Sequence, residues 1–262
     1  MLLVKDVLTF LDNKFPIDHA SSFDKGKVGL QFGNPTASVK KILVALDITS
    51  DVIDEAIKND VNLLISHHPF MFSPLLNLNY TSVLGRNLKK IFTHDLNIIA
   101  MHTNFDISKG GLNDILIKKM GFVSNEEENY EFIPDHFVRT FNCNNITARE
   151  LISIISEKLS INVVRTVGNL DKKIKKAGMV AGGGASDMYT AQRLGVDCYI
   201  SGEFRHNNAL DALENNLVLI ELPHAVEDNA LAEIITLLQS EFTELEIKKS
   251  AHIADPFNYN ID

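Results

Sequence analysis

The hydrophobic pattern of this chain is dominated by short apolar runs that each stop at a histidine. Val61, Leu63, Leu64 and Ile65 precede Ser66-His67-His68-Pro69, and Leu96, Ile98, Ile99, Ala100 and Met101 precede His102-Thr103-Asn104-Phe105-Asp106. A third run, Leu217-Val218-Leu219-Ile220, leads through Glu221-Leu222-Pro223 to His224. Runs of this kind predict strands buried on both faces. Between the first two lies Ser82–Phe92, whose apolar residues Leu84, Leu88, Ile91 and Phe92 recur at helical spacing. A strand, helix, strand unit sets consecutive strands parallel and gathers ligands beyond their carboxyl ends. His67, His68, His102 and Asp106 all fall at such ends.

The same patterning extends along the chain. Met1–Leu11 carries an apolar stripe interrupted by Asp6 and has no small-residue cleavage site, so it predicts a first helix and not a signal peptide. After a helix over Leu112–Met120, the polar stretch Ser124–Asn129 is the expected linker, dividing residues 1–124 from 125–262. Beyond it, His136–Phe141 alternates like a half-buried strand, and Thr147 and Glu150 have the spacing of a capping box. Strands are expected over 162–167, 176–180 and 196–200, with a helix over 187–194. After His224, the spacing of Leu231, Ile234, Ile235, Leu238 and Phe242 predicts an amphipathic helix with His224 and Asp228 one turn apart near its start. The expected fold is α/β in two parts, the segment from about 223 to 262 returning to the site.

In an extended strand, neighbouring side chains point to opposite faces, so His67 and His68 share one ion only where the chain turns, or each serves one of two ions. Together the three strand ends offer His67, His68, Asp106, His224 and Asp228, a donor set suited to zinc, manganese or iron and not to calcium. Five ligands exceed one tetrahedral zinc site and suit two divalent ions sharing a bridging carboxylate and water. His102 stays open between ligand and proton carrier. Glu203, just past the strand end at Ile200, is a candidate proton carrier, and His206 beside it has the simpler reading of a surface residue opening a helix. Glu227 and Asp228 also have a simpler reading, as acids opposing a helix dipole. Gly182-Gly183-Gly184 lacks the lysine of a P-loop and the spacing of a dinucleotide fingerprint, so a plain turn is favoured over a phosphate cradle.

These motifs resemble the NGG-interacting-factor-like family, whose members are commonly described as GTP cyclohydrolase I type 2 homologues. The resemblance covers nearly the whole chain and rests on Ser66-His67-His68-Pro69, His102-Thr103-Asn104-Phe105-Asp106, Tyr199–His206, His224 with an acid after it, and Gly29-Leu30-Gln31-Phe32-Gly33. It implies a dinuclear metal site in a cleft between two α/β parts, in subunits forming a ring-shaped hexamer. The family ligands fall on His67, His68, Asp106, His224 and the acid four residues on, here Asp228. Because the family has glutamate at that place, Glu227 is the alternative acid. The chain also departs from the family at Phe23-Asp24-Lys25-Gly26-Lys27, where a tryptophan-aspartate-asparagine run is common.

The chemistry implied is attack by metal-activated water, since a bound divalent ion lowers the pKa of water from about 15.7 to about 7. For a GTP-like substrate this opens the purine ring and releases formate, with His102 or Glu203 passing protons. The alternatives are a metal-dependent phosphoesterase or amide hydrolase, and a non-catalytic metal-binding scaffold or adaptor.

Composition narrows the setting. The chain has 262 residues, 45% hydrophobic and 23% charged, enough for two cores. A net charge of −9 disfavours nucleic-acid binding, which needs Lys and Arg on phosphates. No apolar stretch approaches the roughly 20 residues of a membrane span, so a cytoplasmic protein is expected. Cys143 and Cys198 are too few for a disulfide framework and are expected as reduced, packed thiols.

Overall fold

The computed structural model describes residues 1–126, 130–252 and 255–259. The chain forms two compact units, Met1–Ser108 with Leu231–Ala254, and Lys109–Ala230 with Asp255–Asp262. The first opens with α1 (Val4–Lys14), β1 (Gly29–Phe32), β2 (Lys41–Ala45), α2 (Ser50–Lys58), β3 (Leu63–Ser66), α3 (Val83–Thr93), β4 (Asn97–Ala100) and α4 (Thr103–Ile107). The second holds α5 (Leu112–Lys119), β5 (Arg139–Thr147), α6 (Ala148–Leu159), β6 (Arg165–Val167), β7 (Lys173–Met179), α7 (Met188–Arg193), β8 (Cys198–Ser201), α8 (His206–Glu214) and β9 (Val218–Glu221). The chain then returns to the first unit with α9 (Leu231–Glu241) and β10 (Glu246–Lys249). The fold is mixed α/β, as the hydrophobic pattern predicts.

Each unit has its own five-stranded sheet, in the orders β1-β4-β3-β2-β10 and β5-β7-β8-β9-β6. In the first, β10, β2, β3 and β4 are parallel and β1 is an antiparallel edge. In the second, β7, β8 and β9 are parallel between antiparallel β5 and β6. The central strands explain the unbroken apolar runs: Leu63, Leu64, Ile65, Ile98 and Ile99 are all buried, because helices cover both faces of such a sheet. Leu43, Ile53, Leu64, Ile91 and Ile98 share one core, and Val138, Met188, Tyr199 and Leu219 share the other.

Local chemistry sets the helix starts. The Ser82 hydroxyl accepts from Gly85 N–H at 3.0 Å to cap α3, and Thr147 and Glu150 bond reciprocally to open α6, realising the expected capping box. The expected linker begins inside the second unit: Asn125 N–H donates to Thr140 O, and the Glu126 carboxylate accepts from Thr140 N–H and Oγ1. Glu127–Asn129 lie outside the described residues. One local expectation is corrected. The α-helix after His224 starts only at Leu231, because His224–Ala230 is a 3₁₀ segment with bonds such as Val226 N–H to Pro223 O.

Among the described residues no helix is long and apolar enough to cross a membrane. Cys143 and Cys198 are free and buried. Burial pushes the Cys143 thiol up to about 12 and the Cys198 thiol well above its ordinary range. Native protein at pH 8 is therefore expected to resist a thiol-titrating reagent and to release both thiols only on unfolding, which an Ellman assay with and without guanidinium checks. Because an unfolded thiol ionises near pH 8.5 and the folded Cys143 only near 12, stability falls as pH rises across that window.

Candidate metal centre

In the first unit the two imidazoles of the His-His pair do converge. The chain bends after β3, where the Ser66 hydroxyl donates to the His68 carbonyl at 2.7 Å, and the rings of His67 and His68 lie 4.9 Å apart. Their backbone N–H groups still bond to Ala45 O and Leu46 O, so the bend is anchored to the strand beside it. At the end of β4, His102 caps the short α4, and Asp106 N–H bonds to His102 O, one turn on. The ring of His102 lies 5.2 Å from that of His67 and 5.6 Å from that of His68. His67, His68 and His102 each place a ring nitrogen within 4.8 Å of the others. The Asp106 carboxylate stands 3.7 Å from Nε2 of His67.

The outer nitrogens are held. Nδ1 of His67 lies 2.9 Å from Met101 O, that of His68 lies 2.8 Å from Asp47 Oδ1, and that of His102 lies 2.5 Å from Asp24 Oδ2. An acceptor on Nδ1 keeps its proton there and leaves Nε2 with a lone pair, the form that binds a divalent metal. Asp24 is fully buried, which by itself pushes its carboxyl up. The bonds from His102 and from Thr103 Oγ1 and N–H outweigh that, and Asp24 is held below the usual carboxylate range as an anion.

The second unit repeats the device. Beyond β9, His224 presents Nδ1 to Glu203 Oε1 at 2.7 Å and Nε2 to Glu227 Oε2 at 3.3 Å. In 3₁₀ geometry residues three apart eclipse, so Glu227 lies over His224, where an α-helix would have brought Asp228. Glu227 is buried and Asp228 half-buried. Glu203 follows β8 with φ of 61°, a left-handed conformation that non-glycine residues adopt at a cost and that concentrates at functional sites. The glycine triplet lies against these acids: a Cβ on Gly182 would stand 2.0 Å from Glu227 Oε1. The turn makes room for a carboxylate and is not merely a tight connection.

The family model for Duf34/NIF3 (NGG1p interacting factor 3) matches residues 2–256. The chain belongs to this family. Among Duf34/NIF3 relatives, the GTP cyclohydrolase 1 type 2 homolog of Clostridium acetobutylicum is 34% identical over 85% of this chain and 84% of its own. The crystal structure of Staphylococcus aureus protein SA1388 superposes with a TM-score of 0.88 at 26% identity, covering 99% of both chains. A Bacillus cereus protein related to NIF3 shares the fold at a TM-score of 0.88 and 22% identity over 99% of both chains.

In this Duf34/NIF3 chain Asp24 and Asp47, which hold His102 and His68, lie outside the ligand set expected from the sequence. Asp47 sits just beyond the apolar run of β2, so the strand-end rule that singled out His67 applies to it equally. Asp24 carries no such signal, since it reaches His102 across 78 residues from the end of a short 3₁₀ turn, Ser22–Asp24.

Proposed function

We propose that the chain is a divalent-metal-dependent hydrolase. The first unit would offer His67, His68 and Asp106, and the second His224 and Glu227, as ligands for divalent ions such as zinc, manganese or iron. The observation that carries this is the oxygen set against Nδ1 of His67, His68 and His224, an arrangement that orients Nε2 as the ligand atom, while Asp24 holds His102 in the same way beside them. The donor set fits such ions: neutral imidazoles with carboxylates in a half-dry setting. A bound divalent ion supplies a hydroxide-like nucleophile at neutral pH. This chain's own part is to orient the ligands and to move protons: the Asp24–His102 pair and Glu203 are the groups placed to do so. The relatives' description supports a nucleotide such as GTP as the substrate, and opening of its purine ring as the reaction. The ring-shaped hexamer implied by the resemblance belongs to this proposal, and a monomeric mass in solution would overturn that part.

Elemental analysis of protein purified without chelator should find about two divalent ions per chain, and GTP should yield formate only with metal present. Near-zero metal after loading with manganese, iron and zinc would sink the metal reading. Full metal without formate, but with turnover of phosphoesters, would move the activity to a phosphoesterase.

A further inference from the structure

We infer that the second unit carries a two-part binding site for a nucleoside phosphate, with an aromatic ring held beside His224 and the phosphate held by Arg165, Arg205 and His206. The inference rests on the metal reading for the role of His224, and on two cavities for the rest. The first, about 390 Å³, is lined by Glu203, His224, Leu222, Arg165, Phe257 and Tyr259 among others. The second, about 310 Å³, is lined by Arg165, Arg205, His206 and Glu221 among others. Arg165 and Glu221 line both, so the two cavities adjoin at this ion pair. Each volume lies in the usual range for small-molecule pockets, roughly 300–1,000 Å³.

Charge decides which end of the ligand goes where. Around the first cavity, Glu203 and Glu221 face one guanidinium, so it disfavours an anion. Around the second, Arg165 and Arg205 face the single carboxylate of Glu221, and His206 adds charge when protonated. Arg165 is held by Glu221, at 3.0 Å from Nε, and donates through Nη2 to Phe204 O at 3.0 Å, which fixes its plane and leaves Nη1 for a ligand. Arg205 and His206 open α8, where the dipole disfavours cations and where a Ser or Asp cap is usual. The first turn of α8 holds no acid to offset them. Cations at a place that costs helix stability have a physical reason if they meet an anion.

The ring end has two exposed aromatics. Phe257 is 68% exposed and Tyr259 44%, although both are large apolar rings. They are nevertheless ordered by one carboxylate, since Asp255 accepts from Phe257 N–H at 3.0 Å and from Tyr259 OH at 3.1 Å. Solvent-facing aromatic rings held in place beside a cavity suit stacking on a planar heterocycle, whose neutral face tolerates the local carboxylates. A heterocycle there would lie next to His224 and the Glu203 carboxylate paired with it.

The test is equilibrium binding, by calorimetry, of guanosine 5′-monophosphate, guanosine and ribose 5-phosphate to the metal-bearing protein, with metal content measured on the same samples. Phe257→Leu together with Tyr259→Leu should weaken the nucleotide and guanosine on the order of tenfold and leave ribose 5-phosphate unchanged. Arg205→Gln together with His206→Gln should weaken the nucleotide and ribose 5-phosphate on the order of tenfold and leave guanosine unchanged. Both double variants should keep the wild-type metal content. Nucleotide binding that is absent from metal-bearing protein, or that neither variant changes, would overturn the inference. Binding that follows both variants in a protein free of metal would uphold it while removing the metal reading.

Discussion

Glu227→Gln is expected to abolish stable metal binding at His224, whereas Asp228→Asn is expected to leave it almost unchanged. The reason is helical geometry. Over His224–Ala230 the backbone is 3₁₀, so the side chain three residues on, and not four, lies against the imidazole. Loss of an outer partner to a metal ligand already weakens affinity about 10- to 100-fold, so loss of a ligand carboxylate should exceed about 100-fold. Glu227 is buried and Asp228 half-buried, so the melt of each variant in chelator sets the baseline against which its response to metal is read. In metal at about 1,000 times the dissociation constant, wild type and Asp228→Asn should each gain about 4 kcal/mol, and Glu227→Gln should gain little. Thermal melts with and without added zinc or manganese, alongside elemental analysis, read all of this. A metal-induced shift that survives Glu227→Gln but vanishes in Asp228→Asn would reverse the assignment.

That contrast also marks where sequence patterning reaches its limit. β3, β4 and β9 stand out because strands buried on both faces must be apolar throughout, and their carboxyl ends then point to His67, His68, His102, Asp106 and His224. α6 stands out because a capping box has a fixed spacing. The edge strand β10 does not, since only Ile247 of its four residues is buried and charges fill the rest. α2 is legible too, with Val52, Ile53 and Ala56 on its buried side at helical spacing. For the acid after His224, an α-helical period selects Asp228 and a 3₁₀ period selects Glu227, and the hydrophobic positions that start at Leu231 do not reach back to decide between them. The Asp24–His102 pair joins residues 78 apart, and tertiary pairing of that kind leaves no trace in local spacing, whereas Asp47 carries the strand-end signal of β2.

The glycine turn shows how tightly the second unit holds its acid. Gly182→Ala is expected to lower stability by more than backbone strain alone would, and to reduce metal binding as well. Gly182 has φ of +61°, and an added Cβ would stand 2.0 Å from Glu227 Oε1 and 3.1 Å from His224 Nε2. Left-handed backbone costs a residue with Cβ about 1–2 kcal/mol, and overpacking a tight interior adds about 1–3 kcal/mol. Gly195 supplies the control. It also has positive φ, at +72°, but an added Cβ there meets nothing within 4 Å. Gly195→Ala should therefore show the backbone cost alone, with metal content intact. The difference between the two variants isolates the crowding of Glu227. A carboxylate that relieves the clash by moving off His224 makes the excess destabilisation and the loss of metal appear together. Denaturant titration gives the first and elemental analysis the second. Equal effects from the two substitutions would mean that the turn serves the backbone only and that Glu227 is free to move without consequence for the site.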